Sequence, residues 1–408
     1  MNRGFHILLV AQFLSALADN ALLFAAIALL AQLSAPPWQI PVLQQFFVFS
    51  YILLAPFVGA FADSLPKGRV MFISNAVKIV GCTLMLVGVH PLAAYAVVGL
   101  GAAMYSPAKY GILTELLPPR LLVLANGWME GLTVAAIVLG AILGGALVSD
   151  RGATPLHSLL GVSGIDPFFD SAPKFAIAIL LCIYALASVV NLYIPAVPAD
   201  RKPASARPLY LVREFRHCFR LLWRDPLGQV SLAVTTLFWG AGATLRLIII
   251  AWASVALGFS LEESARLTAV VAVGIAVGAA VAAKTVELEH SVRVLPVGIA
   301  MGLAVIAMTF VEQTWVAVPL LALIGALGGY FVVPMNALLQ HRGHLLMGAG
   351  HSIAVQNFNE NLSIIVMLGA YALMIRAELS VYTVVILFGV FVATTMGFIW
   401  RKHGHDQD

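Results

Sequence analysis

Residues 99–113 read GLGAAMYSPAKYGIL, and residues 325–339 read GALGGYFVVPMNALL. Both segments begin with small residues and continue to a proline, which is followed two positions later by Lys109 in one and Asn336 in the other. Each lies in a long apolar stretch, and each is followed by a short loop and a further apolar stretch with polar residues in its first half. The similarity indicates that one arrangement of several apolar helices occurs twice along the chain.

The composition requires lipid as the solvent. The chain has 408 residues, of which 61% are hydrophobic and 10% charged, and its mean hydropathy is +0.96. A soluble domain carries roughly 25% charged residues. Because no strand-like alternation occurs over any length, helices are the only plausible spanning element, and twelve spans of ~20 residues account for the chain. The predicted spans are 5–33, 40–62, 70–88, 92–117, 122–149, 173–194, 229–256, 264–283, 293–311, 316–340, 349–375 and 379–400.

Catalytic and cofactor motifs are missing from the sequence. The three cysteines (Cys82, Cys182 and Cys218) are an odd number without metal-binding spacing, so we expect no disulfide framework and no metal site. No GxSxG, HExxH or Walker sequence occurs, which argues against an enzyme or a nucleotide-driven pump and predicts no cofactor. The first apolar stretch is too long for a cleaved signal, and we expect it to remain as the first span.

The distribution of Lys and Arg predicts the orientation. Most of the 23 lie on the side of the N-terminus, so this side is expected to be cytosolic and both termini to lie there. Residues 195–228 are Pro-rich at the start and basic throughout, and 210–223 can form an amphipathic helix on the inner leaflet. This segment is either a simple linker that obeys the positive-inside rule or a lipid-recruiting element.

The predicted fold is an all-α polytopic membrane protein with two six-helix halves. We assign residues 1–194 to the N-terminal half, 195–228 to a basic cytosolic linker and 229–408 to the C-terminal half. A parallel repeat of six spans is typical of the major facilitator fold with its 12 transmembrane helices.

Ionisable residues inside the spans are the candidate functional groups, because a charge in lipid needs a partner, water or a function. The charged candidates are Asp19, Lys78, Lys109, Glu130, Arg246 and Glu360. Uncharged polar residues accompany them: Asn20, Gln340, Gln356, Asn357, Asn359 and Asn361.

Their depths in the spans leave the pairing open. Lys109 can pair with Glu130, while Asp19 can pair with Lys109 or compete with Glu360 for Arg246. Opposite charges at this depth suit a substrate with both a phosphate and an ammonium group, or ion pairs that open and close as gates. The simpler interpretation, a structural ion pair, is the one we adopt for Lys78. A packed or water-facing side chain is the prediction for His351.

The loop after the second span has a pattern that resembles the GxxxD…GR signature of major facilitators. It reads GAFADSLPKGR, with Gly59, Asp63, Lys67 and Arg69 as the candidate residues and Pro66 where the signature has glycine. Asp63 can sit near a helix N-terminus while the basic residues follow the inner surface. We predict a latch that holds one conformational state.

Longer segments resemble one family within that superfamily. LLVAQFLSALADNALLFA, GAAMYSPAKYGILTEL, LANGWME, LFWGAGATLR and GAGHSIAVQNFNEN are similar to the bacterial lysophospholipid transporters, and the similarity covers nearly the whole chain. The departures are a longer loop at 150–172 and His351 where asparagine is expected. The family positions correspond to Asp19, Asn20, Lys109, Glu130, Arg246 and Glu360.

The resemblance implies a flippase in the inner membrane of a Gram-negative bacterium. Such proteins bring lysophosphatidylethanolamine and lysophosphatidylglycerol from the outer to the inner leaflet, where a cytosolic acyltransferase/acyl-carrier-protein synthetase re-acylates them. Arg246 or Lys109 would then bind the phosphate, Asp19 or Glu360 the ethanolamine, and Phe, Leu and Met side chains the acyl chain.

Two other functions stay open at this point. One is a cation-coupled exporter of small amphipathic compounds, with Asp19, Glu130 or Glu360 as the proton or sodium site. The other is a scaffold that docks the acyltransferase through the basic linker without transporting.

Overall fold

The computed structural model describes residues 3–36, 38–148, 171–197, 205 and 207–403, and within these residues it contains helices and no strands. The predicted long loop 150–172 and the Pro-rich start of the linker therefore fall largely outside the described residues. The helices are α1 (Arg3–Gln32), α2 (Gln39–Ser64), α3 (Lys67–Leu86), α4 (Pro91–Leu116), α5 (Leu122–Val148), α6 (Ala172–Leu192), α7 (Pro208–Arg224), α8 (Pro226–Ala256), α9 (Leu261–Thr285), α10 (Leu295–Ala307), α11 (Thr314–Met347), α12 (Ala349–Arg376) and α13 (Val381–His403).

Twelve of these helices correspond to the twelve predicted spans. Eleven helical segments in the described part of the chain are long and apolar enough to cross a membrane. The twelfth, α4, has 26 residues and carries Lys109 beside tyrosine and serine residues. The remaining helix, α7, has 17 residues and overlaps the predicted amphipathic segment.

Local sequence signals explain where several helices begin. Pro226 occupies the first turn of α8, where its missing N–H costs nothing, and the Asp225 side chain accepts a hydrogen bond from the Gly228 N–H. At the start of α9, Ser260 and Glu263 form a reciprocal capping box. The turn between α2 and α3 contains Pro66. This proline ends α2, because the residue before a proline avoids helical geometry.

Packing divides the chain into two compact units. Unit 1 comprises Met1–Leu116, Ala135–Phe215 and Gly348–Ala354, and unit 2 comprises Leu117–Val134, Arg216–Met347 and Val355–Asp408. Helices α5, α7 and α12 are each divided between the units, so the units do not follow the chain order. The domain boundary at residues 195–228 stays a prediction.

The same helix pairs pack together in both units. In unit 1, α1 packs on α4 and α6, α2 on α4, and α3 on both α4 and α6. In unit 2, α8 packs on α11 and α13, α9 on α11, and α10 on both α11 and α13. Adding seven to each helix number of the first set gives the second, which supports the repeat inferred from residues 99–113 and 325–339.

Helices α9 and α11 meet along a seam of four glycines. A β-carbon on Gly274 or Gly278 would overlap the α11 backbone at Ala322 and Ala326. In the same way, a β-carbon on Gly325 or Gly329 would overlap the α9 backbone. Small residues allow such close approach between membrane helices, where van der Waals packing drives association.

Replacing a seam glycine is therefore expected to destabilise unit 2. We predict that Gly278→Val lowers the unfolding free energy by about 1–3 kcal/mol, as is usual for overpacking. The measurement is thermal unfolding of purified protein in detergent. Gly369→Val is the control, because no atom outside the adjoining backbone of its own helix lies within 4 Å of its added β-carbon. Equal stability of the two variants would contradict the proposal that close packing of α9 and α11 requires glycine at position 278.

Candidate functional site

Asp19 forms a buried ion pair in unit 1. The Lys78 ammonium donates to the Asp19 carboxylate at 2.7 Å, and the Tyr184 hydroxyl donates to the other carboxylate oxygen at 2.7 Å. Lys78 also donates to the Ser15 hydroxyl at 3.0 Å, which itself donates to Asn75 at 2.8 Å. The partner of Asp19 is thus Lys78 of α3, a pairing that the sequence analysis did not consider.

The surroundings of Lys78 stabilise its charge. Its ammonium nitrogen lies 4.9 Å from the Tyr105 ring centroid and 5.4 Å from the Tyr184 ring centroid, within the range of a cation–π interaction. Lys78 is fully buried, whereas the Asp19 side chain is 21% exposed. Asp19 therefore presents the accessible side of this ion pair.

A cavity of about 50 Å³ lies next to the exposed side of Asp19. Its lining includes Ser15, Asp19, Lys78 and Lys109, so two cations and one carboxylate face the same small space. The Lys109 ammonium lies 4.3 Å from the Tyr110 ring centroid. The Asn20 side chain makes a local contact instead: its amide donates a hydrogen bond to the Ala16 carbonyl of its own helix at 2.8 Å.

Unit 2 contains a second polar cluster, centred on Glu360. The Gln356 amide donates to Glu360 at 2.7 Å and to the Asn336 side-chain oxygen at 2.8 Å. Glu130 is also buried and is an electrostatic neighbour of Glu360. Three candidate polar residues and Asn336 are thus brought together from α5, α11 and α12, while Asn357 is buried one residue beyond Gln356.

Arg246 differs from the other charges inside the spans. It lies near the middle of α8, its side chain is exposed, and it makes no ion pair or side-chain hydrogen bond with any residue that the structure describes. A lone arginine at this position requires water or an anionic ligand.

The predicted latch residues converge on the first turn of α12. The Asp63 carboxylate accepts hydrogen bonds from the backbone N–H of Gly350 at 2.8 Å and of His351 at 3.1 Å. It also contacts His351 Nδ1 at 2.7 Å and Lys67 Nζ at 2.7 Å. A carboxylate at this place satisfies free N–H groups and complements the positive end of the helix dipole.

The close approach of α2 to α12 depends on a small residue. A β-carbon on Gly59 would lie 2.9 Å from the His351 Cα atom. Two acidic residues extend the network: Glu115 lies 3.2 Å from Lys67, and Glu214 lies 3.8 Å from His351 Nε2. The His351 ring is therefore packed and also contacts two acidic side chains, Asp63 and Glu214. Arg69 is exposed and makes none of these contacts.

Sequence reasoning missed several supporting residues. Asn126 of α5 and Gln340 of α11 exchange two amide hydrogen bonds of 2.8 Å, but only Gln340 was singled out. Ser15, four residues before Asp19, shares its helix face and is the one partner of the ion pair that helical spacing points to. Tyr184 and Glu214 give no such signal, since each is remote in sequence from the group it contacts.

A larger cavity of about 500 Å³ lies in unit 2 and contains none of the predicted site residues. Its charged lining residues are Arg120, Glu287, Glu289 and Arg342. Arg342 donates to the Asp225 carboxylate at 3.1 Å. Although burial raises it, the pKa of Asp225 is lowered overall by hydrogen bonds from Arg342 and the Gly228 N–H, so this pair is ionised at neutral pH.

Comparison with known proteins identifies the class of this chain. The Major Facilitator Superfamily profile matches residues 8–368. The fold resembles that of the Escherichia coli fucose:proton symporter FucP, with a TM-score of 0.74 at 13% identity over 98% of each chain. It also resembles a bacterial homologue of the iron transporter ferroportin, with a TM-score of 0.72 at 17% identity over 99% of this chain and all of the other. The chain therefore belongs to the major facilitator superfamily, a family of multi-pass membrane proteins, and the predicted fold is confirmed.

Relatives with a higher sequence identity than these structures indicate one family within the superfamily. The lysophospholipid transporter LplT of Enterobacter sp. (strain 638) is 45% identical over 400 residues, which cover 98% of this chain and 96% of the relative. The protein of the same name from Escherichia coli O9:H4 (strain HS) is 44% identical over 406 residues, 98% and 97% of the two chains. The resemblance drawn from the sequence segments is confirmed.

The buried ion pair generates a prediction about stability. Lys78→Met leaves the Asp19 carboxylate without its partner and is expected to lower the unfolding free energy by about 3 kcal/mol, the low end for a broken buried pair, because Asp19 is partly exposed. The measurement is thermal unfolding in detergent.

A second variant separates charge from packing. Adding Asp19→Asn to Lys78→Met removes the uncompensated charge, and we expect most of the lost stability to return. If the double variant is no more stable than Lys78→Met, the ion pair does not explain the effect.

Proposed function

We propose that the protein transports lysophospholipids, mainly lysophosphatidylethanolamine and lysophosphatidylglycerol, from the outer to the inner leaflet of a bacterial inner membrane. Its termini would lie in the cytosol, where an acyltransferase/acyl-carrier-protein synthetase re-acylates the product. The names of the full-length relatives support the substrate class. The protein would act as a transporter and not as an enzyme.

The exposed guanidinium of Arg246 is the observation that carries the proposal. An arginine fits a phosphate with two parallel hydrogen bonds and remains charged at any physiological pH. Because no described residue neutralises Arg246, a phosphate can bind it without first displacing an internal carboxylate. Burying this charge without an anion would be expensive inside the membrane.

Carboxylates suited to the ammonium of the head group lie in both units. Asp19 keeps part of its side chain exposed while Lys78 and Tyr184 hold it in place. Glu360 is oriented by Gln356 through one carboxylate oxygen. The apolar tail requires a different surface, and the second half of α12 exposes Leu362, Val366 and Leu373.

The Asp63 network is proposed as the conformational latch. Asp63 holds the first turn of α12 through two backbone N–H groups and His351, so separating α2 from α12 exposes a carboxylate and the end of a helix. A contact that exists in one state and is broken in another biases the equilibrium between them. Gly59 and Lys67 belong to the same network, whereas Arg69, which was also predicted, is exposed and makes none of its contacts.

Removing the arginine that is proposed to bind the phosphate is expected to reduce transport. We predict that Arg246→Ala lowers the initial rate of lysophosphatidylethanolamine uptake into proteoliposomes by about 10- to 100-fold, the value of a charge-assisted hydrogen bond. Arg246→Lys, which keeps the charge but loses the two-pronged geometry, should retain a larger fraction of the rate. Unchanged uptake by a folded Arg246→Ala protein would contradict the proposal that Arg246 binds the phosphate.

The same assay distinguishes a flippase from the alternative, a cation-coupled transporter. Uptake that is saturable without an imposed ion gradient agrees with a flippase. Uptake that requires a gradient and collapses with an uncoupler favours the coupled transporter, with Asp19, Glu130 or Glu360 as the site.

The latch gives a prediction of its own. Asp63→Asn keeps the size of the side chain but loses the charge that faces Lys67, His351 and the helix end, so the initial uptake rate is expected to fall several-fold. Arg69→Gln is the matched control, since Arg69 is exposed and outside the network. Equal uptake rates for the two variants would exclude a latch at Asp63.

A further inference from the structure

Four arginines form a continuous stripe on α7. Arg213, Arg216, Arg220 and Arg224 are separated by three, four and four residues, which places them on one side of a helix. All four side chains are exposed. We call these four residues the arginine face.

The opposite side of α7 is packed against the protein. Cys218 and Leu222 are buried, and the Phe219 ring lies 6.1 Å from the Phe358 ring. Near the start of the helix, Glu214 lies 3.8 Å from His351 Nε2. These contacts fix the rotation of α7, so the arginine face is turned away from the residues that hold the helix.

The charges of the arginine face are not neutralised within the described residues. None of the four guanidinium groups makes an ion pair or side-chain hydrogen bond there. The only acidic residue of α7 is Glu214, on the packed side, and the next one along the chain, Asp225, is occupied by Arg342 and Gly228. Four like charges at helical spacing repel one another, so an anion bound from outside would relieve the repulsion.

Apolar side chains near the start of α7 indicate which kind of anion the arginine face binds. Leu209 is 63% exposed, and Tyr210 and Val212 are exposed beside it. Exposed leucine, valine and tyrosine mixed with arginine are typical of a helix in the head-group region of a bilayer. The end of α7 is joined to the membrane-spanning helix α8 through Asp225 alone, which keeps the last arginine of the face close to the end of a span.

From this geometry we propose that the arginine face binds the anionic phospholipid head groups of the leaflet on its side of the membrane. The guanidinium groups pair with lipid phosphates, and Leu209, Tyr210 and Val212 insert between the lipids. This interaction is with bulk membrane lipid and stands independently of the transported substrate.

A label on the arginine face tests the proposal without measuring transport. His217 is exposed next to the stripe, so His217→Cys is labelled with a fluorophore in full-length protein whose three native cysteines are replaced by serine. The protein is placed in phosphatidylcholine nanodiscs that contain a small fraction of spin-labelled phosphatidylglycerol or spin-labelled phosphatidylcholine. We expect several-fold stronger quenching by the phosphatidylglycerol probe at low salt, and a smaller difference at high salt.

Two sets of substitutions identify the residues responsible. Changing all four arginines to glutamine should abolish the preference for phosphatidylglycerol, while changing them to lysine should preserve it. The matched control neutralises exposed cations elsewhere on the basic side and should leave the preference intact: Lys284→Gln, Arg293→Gln, Arg401→Gln and Lys402→Gln.

Equal quenching by the two lipid probes in the labelled protein would overturn the proposal, as would a preference that survives the glutamine substitutions. Equal lipid quenching together with strong quenching by aqueous iodide would show that the face points into water. An acidic soluble protein would then be the better candidate partner.

Discussion

A charge inside a membrane-spanning helix is costly unless it meets an opposite charge, water or a ligand, and this constraint organises both units of the protein. In unit 1 the Lys78 ammonium is buried between Asp19, Ser15 and two tyrosine rings. In unit 2 the Glu360 carboxylate accepts a hydrogen bond from Gln356 but forms no ion pair with any described residue, and the acidic Glu130 is its electrostatic neighbour. Arg246 has no such partner among the described residues, and we therefore propose that it binds the substrate.

Close helix packing supplies the rigid frame on which these charges are held. The pairs of helices that pack in unit 1 recur in unit 2, and glycines bring α9 and α11 into backbone contact. Packing of this kind limits motion within each unit. We propose that the contact that breaks is the Asp63 cap on α12, because it consists of a few polar interactions that water can replace.

Composition and repeat pattern were sufficient to predict the fold, because hydropathy identifies spans and the paired segments around Pro107 and Pro334 identify the repeat. The candidate charges were also visible, since an ionisable residue stands out in an apolar segment. Their partners were not: Asp19 pairs with Lys78, which the sequence analysis treated as a separate structural residue. Depth along a helix gives no information on its rotation or on its neighbours.

The Asp63 network shows the same limit. The GxxxD pattern pointed to a helix N-terminus, but the identity of that helix depends on tertiary structure, and His351 was expected to be a packed or water-facing residue. Its contact with Asp63 at 2.7 Å and its proximity to Glu214 arise from segments far apart in sequence.

The central claim is that Arg246 recognises the phosphate of a lysophospholipid. It is tested most directly by the equilibrium binding of lysophosphatidylethanolamine and of a monoacylglycerol with the same acyl chain, to the wild-type protein and to Arg246→Gln. We expect the wild-type protein to bind the phosphate-containing lipid much more tightly and Arg246→Gln to lose that preference. A preference of equal size in both proteins, or none in the wild-type protein, would contradict the assignment.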